Sequence, residues 1–66
     1  MTEDEVRALP VMVDLLTAGK VLGMGRTATY HAVRDGIFPV EVIRMGKGEK
    51  SPMFVRKVDL LRMVGL

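Results

Sequence analysis

The residues best suited to chemistry lie between positions 25 and 34, in the run Gly25-Arg26-Thr27-Ala28-Thr29-Tyr30-His31-Ala32-Val33-Arg34. At about 100° per residue, Thr27, Tyr30, His31 and Arg34 share an arc of roughly 100° on one side of a helix. Thr29, Ala32 and Val33 fall on the other side, at i, i+3 and i+4, where they can pack on a neighbour. The polar arc combines a hydroxyl, a phenol, an imidazole and a guanidinium, and Arg26 stands at its N-terminal end. Such a set donates hydrogen bonds to an anionic or acceptor-rich partner. It is poorly suited to catalysis, because acid–base work needs positioned partners and His31 beside Tyr30 has no orienting carboxylate. With one histidine and no cysteine, the chain has no multi-histidine site, thiolate metal site or disulfide. No enzymatic activity, cofactor or small-molecule ligand is expected.

A helix that presents this stripe needs defined ends and a support. Gly36 follows Asp35 as a left-handed C-terminal cap, which predicts a helix from about Arg26 to Asp35. Upstream, Asp14 is a good N-cap, and Leu15, Ala18, Gly19 and Leu22 follow as an apolar stripe at i, i+3, i+4 and i+7. Gly19 costs about 1 kcal/mol relative to alanine inside a helix. Close approach of a second helix is a physical reason to keep it. Gly23-Met24-Gly25 breaks this helix, with Met24 available to plug the corner. Two short helices around a glycine-containing three-residue turn form a helix-turn-helix pattern. In such motifs the N-terminal end of the second helix approaches the bases of DNA.

The flanks supply the rest of the fold. Thr2-Glu3-Asp4-Glu5 has capping-box spacing, so a short helix over 2–9 is expected, with Val6 and Leu9 as its apolar edge and Pro10 as its stop. Val11-Met12-Val13 reads as a short extended piece. Beyond Gly36, Ile37-Phe38-Pro39 is expected to return an apolar anchor to the core, and Val40 to Met45 reads as a strand. Gly46 to Lys50 is a turn with Lys47, Gly48 and Lys50 at its tip, and Met53-Phe54-Val55 is the return strand. Pro52 marks the start of that strand or confines it to an edge. The result is a β-hairpin with a basic tip, a wing able to reach phosphate. A last short helix begins at Arg56, where the capping signal is poor, and ends near Gly65. Val58, Leu61, Met63 and Val64 are available for its packing. The expected architecture is α+β: a small winged helix-turn-helix, with a β-hairpin wing, a C-terminal helix and an extra short N-terminal helix. Residues 1–13 form an extension in this reading, and 14–66 the DNA-binding domain.

Composition sets limits on this. Sixty-six residues, 48% of them apolar, make one domain with a small core, partly filled by adaptable methionines. The net charge of +2 is unevenly distributed: residues 1–16 hold four acids against Arg7, whereas 17–66 hold nine Lys/Arg against four acids. A basic body calls for an anionic partner, and the acidic head, Glu3, Asp4 and Glu5, is a candidate for self-association. The acidic start is the opposite of a signal peptide's, and no apolar run approaches the roughly 20 residues of a membrane helix. A cytoplasmic protein with no membrane contact is expected.

The order helix, glycine turn, helix, Gly-Ile-Phe-Pro, hairpin, helix resembles the excisionase (Xis) and MerR-like group of small winged-helix DNA-binding proteins. The resemblance covers Asp14 to Leu61. It rests on Leu22-Gly23-Met24-Gly25-Arg26-Thr27, Tyr30, Val33-Arg34-Asp35-Gly36, Ile37-Phe38-Pro39 and Val55-Arg56-Lys57-Val58-Asp59-Leu60. The small size and the Ile-Phe-Pro segment favour a bacteriophage excisionase, a recombination directionality factor. This resemblance implies a protein in the bacterial host cell that binds and bends attachment-site double-stranded DNA and directs a partner tyrosine integrase towards excision. It implies that the helix at 26–35 enters the major groove and that the wing at 46–51 tracks the minor groove. It also implies copies lined up head to tail on adjacent sites. The chain departs from the group's pattern where Gly25 and Ala28 stand in place of frequent hydroxyl residues, and its hairpin is longer. The same helix and wing would equally serve a MerR-like transcriptional regulator. A protein-only adaptor or antitoxin would lack salt-dependent DNA affinity.

Overall fold

A computed structural model describes residues 1–46 and 52–66. The elements are α1 (Glu3–Arg7), β1 (Met12–Asp14), α2 (Leu15–Val21), α3 (Arg26–Arg34), β2 (Ile43–Arg44), β3 (Met53–Arg56) and α4 (Lys57–Val64). The three strands form one antiparallel sheet in the order β1-β3-β2. The chain is thus a small α+β protein, with four helices and a three-stranded sheet among the described residues. No helix among them is long and apolar enough to cross a membrane.

Local signals account for several boundaries. In α1 the Thr2 hydroxyl accepts from Glu5 N (3.2 Å) while the Glu5 carboxylate accepts from Thr2 N (3.1 Å), completing the capping box. Hydrogen bonding from Thr2, its backbone N–H foremost and then its side chain, holds the Glu5 carboxyl below its ordinary value. In α2 the Asp14 carboxylate accepts from Thr17 N at 3.1 Å. Hydrogen bonding with Thr17 likewise holds the Asp14 carboxyl below the ordinary aspartate value. A group with a lowered folded pKa stabilises fully above its unfolded value and loses that contribution as pH falls through the folded value. Asp14→Ala is therefore expected to cost about 1 kcal/mol near neutral pH. Urea titrations at falling pH should show its gap to the parent protein narrowing below about pH 4. A gap that stays constant from neutral to acid would contradict this assignment.

The core forms where α2 and α4 meet the sheet. Val13 and Val55, opposite one another in the β1–β3 register, are both buried, together with Leu15, Ala18 and Leu60. Leu9, Phe38, Val40, Val42 and Met53 pack around them. β1 runs across the boundary expected after residue 13, and Val13 belongs to the common core. The N-terminal segment is tied in further by α4: Lys57 N donates to Val11 O (2.8 Å) and Lys57 Nζ to Arg7 O (3.1 Å).

Other expectations need correction. The strand expected over Val40 to Met45 is only Ile43–Arg44. The chain bends at Pro39-Val40 and approaches the sheet late. Continuing the Ile43–Phe54 register would bring Glu41 opposite Arg56. There the link is made by side chains, with the Arg56 guanidinium donating to Glu41 (3.0 Å) and to Asp59 (2.8 Å). Those carboxylates, Asp59 foremost, raise the guanidinium's already high pKa. Pro52 directly precedes β3, which is the central strand, so the edge alternative does not apply. Ile37 is not a core anchor: it is 72% exposed, and Phe38 alone of that pair turns inward. Gly36 takes a left-handed φ of 73°, and Ile37 N then bonds back to Ala32 O (2.9 Å), leaving the Ile37 side chain in solvent. In α4 the fully buried residue is Leu60, whereas Val58, Met63 and Val64 are exposed.

Candidate functional site

The helix α3 carries the candidate stripe. Its inner residues Thr29 and Ala32 are buried and Val33 is half-buried, whereas Arg26, Thr27, Tyr30, His31 and Arg34 are all exposed. The division of faces expected from the spacing is the one observed. The N-cap is Gly25, which supplies no side-chain cap, so the first N–H groups of the helix carry their partial positive charge uncapped by any side chain. A Cβ at Gly25 would meet open space, so this end of α3 is accessible.

Around that end the two helices enclose a groove of about 380 Å³ lined by Leu16, Lys20, Met24, Gly25 and Arg26. Its apolar lining, Leu16 and Met24, is half-buried, and its two cations, Lys20 and Arg26, are exposed. The sequence pattern does not mark Lys20, because its relevance depends on how closely α2 and α3 approach. The signal available was a lone cation in the last turn of the supporting helix, five residues before the Gly25 cap.

At the opposite end of the stripe, Arg34 Nε donates to the neighbouring Asp35 carboxylate at 3.3 Å. Both side chains are more than half exposed, and such surface pairs contribute about 0–1 kcal/mol. The guanidinium can therefore leave Asp35 for a better acceptor at little cost. Arg44, exposed on β2, is a further cation that the sequence pattern does not mark, because its run, Val40 to Met45, stands out for β-branched residues. The candidate wing residues Lys47, Gly48 and Lys50 lie outside the described residues.

The acidic head is more self-contained than its charge suggests. Glu3 pairs with Arg7 at 2.8 Å and Glu5 is occupied by Thr2, while Asp4 is exposed in the same turn. No family model, curated protein or solved structure matches the chain.

Proposed function

We propose that the chain is a winged helix-turn-helix protein that reads double-stranded DNA with α3 in the major groove. The β2–β3 hairpin lies at the adjacent minor groove in this reading. The observation that carries it is the separation of faces on α3. Five residues able to donate hydrogen bonds to base edges or phosphates project together from a helix whose reverse face is buried. Lys20 at the α2–α3 groove and Arg44 on the hairpin stem add cations suited to phosphate. The resemblance of Asp14–Leu61 to the excisionases carries the reading one step further, to a factor that bends attachment-site DNA and steers an integrase towards excision.

A single module of this size buries only about 600–1,000 Å² on DNA, so one copy holds a site weakly. Head-to-tail binding of several copies compensates, with the acidic α1 of one meeting the basic body of the next. Such a contact is heterologous and can propagate along the duplex. Replacing Glu3 and Glu5 with Gln and Asp4 with Asn should reduce cooperativity on a duplex carrying adjacent sites, seen as a broader binding curve. Because Glu3 and Glu5 already have partners within α1, Asp4→Asn alone should account for most of the effect. An unchanged Hill slope in the triple variant would rule out the charge pairing. The excision role is tested by a footprint on attachment-site DNA with and without integrase, coupled to a reconstituted excision reaction. The expected result is a protected array whose presence stimulates excision. A footprint on promoter DNA only, with no stimulation, would instead mean transcriptional regulation.

A further inference from the structure

The turn between α2 and α3 is held from inside by one side chain. Among the described residues, Thr29 is the buried polar side chain, with no exposed surface. Its hydroxyl donates to Gly25 O at 2.8 Å, the carbonyl that also accepts Thr29 N at 2.9 Å. Because Gly25 offers no capping side chain, this doubled bond is what ties the first turn of α3 to its cap residue. On the other side of Thr29 stands Gly19, where a Cβ would collide with Thr29 Oγ1 and press on its Cγ2. Gly19 O in turn accepts Met24 N at 2.8 Å, so the same glycine anchors the turn's other end. The threonine side chain is confined between the α2 backbone and the α3 cap.

Burial alone does not call for a hydroxyl here. Valine has the same branched shape, and Gly25 O would keep its backbone partner without Thr29 Oγ1. A threonine bonding back to the carbonyl four residues earlier slightly destabilises a helix and bends it. The back-bond lies in the turn that carries Arg26 and Thr27, at the end of the stripe nearest the Lys20 groove, so a bend of this kind would act there. We propose that Thr29 is a positioning residue: with Gly19 as its stop, its hydroxyl bends the first turn of α3 and so sets the aim of Arg26 and Thr27. This rests on the DNA-reading function proposed above and deepens it, by naming a buried group that determines sequence selectivity without touching DNA.

The test compares Thr29→Val with Thr29→Ser. A duplex is first selected by the parent protein from a random pool, and affinity for it is measured against scrambled duplex, alongside thermal unfolding. Valine should unfold at the parent's temperature or higher, yet lose about tenfold in affinity for the selected duplex, with scrambled affinity within about twofold. Serine keeps the hydroxyl but leaves a void. It should unfold at a lower temperature yet keep selected-duplex affinity within about threefold. A merely structural threonine would give the same rank order in stability and in selectivity. Should valine not be accommodated, Thr29→Ala takes its place in the comparison. If the parent protein enriches no duplex, the DNA reading fails and takes this proposal with it. If the parent enriches a sequence and the hydroxyl-free variant keeps the parent's selectivity, the positioning role alone is overturned.

Discussion

Arg34→Ala should lower affinity for a selected duplex by about 10- to 100-fold while leaving the unfolding midpoint nearly unchanged. The size follows from the roughly 1–3 kcal/mol that one good bidentate contact to a base contributes, at about 1.4 kcal/mol per tenfold. Stability is spared because Arg34 is exposed and its partner among the described residues, Asp35, is a surface carboxylate at 3.3 Å. The residue sits between Tyr30 and His31 in angle around α3, near the centre of the exposed stripe. The way the loss is distributed identifies the contact. If Arg34 reads a base, affinity falls on the selected sequence and hardly on scrambled DNA. If it holds a phosphate, affinity falls on all duplexes and the salt dependence weakens by about one cation. Undiminished binding in a gel-shift titration would mean that this face of α3 is not the one that meets DNA.

The second large effect concerns the core. Leu60→Ala should leave much of the protein unfolded at room temperature, whereas Val58→Ala, two residues earlier on the same helix, should be nearly silent. Leu60 is fully buried against Val13, Leu15, Ala18 and Val55, and Val58 is half exposed. Truncating a buried leucine costs about 2–5 kcal/mol. A core in a chain of this length rarely supplies more than about 3–5 kcal/mol. Far-UV circular dichroism and a urea titration of the two variants decide the matter. Equal stability in the two would contradict the placement of α4 on the sheet. The consequence reaches the site, since α4 and α2 both pack on β3, and α2 supports α3.

Leu60 also marks where the sequence stops being informative. The phase of a helix can be read when a capping residue fixes its start, as Asp14 does for α2 and the Thr2–Glu5 box does for α1. The N-cap of α4 is Arg56, with no side-chain cap bond, so nothing local says which of Val58, Leu60 and Leu61 faces inward. Strand pairing was equally hidden. The extended piece around Met12 could be recognised, but its place beside β3 is a contact between distant parts of the chain that no local pattern encodes. The division of faces on α3 could be read because it depends only on helical period and on the glycine that ends the helix. Gly19 was legible for a related reason: an unfavourable residue inside an otherwise regular helix signals close approach, and Thr29 is what approaches. Lys20 became visible only once two helices were brought together around it.

The central claim, that the outer face of α3 meets duplex DNA, is tested most directly by titrating ¹⁵N-labelled protein with a selected duplex and following each backbone amide. The predicted result is a set of shifts concentrated in Gly25 to Arg34, with Lys20 and the paired residues Ile43, Arg44, Met53 and Phe54 shifting as well, and with Val58, Arg62 and Met63 of α4 unchanged. Shifts centred on α4, or no shifts at duplex concentrations that saturate the gel-shift titration, would contradict it.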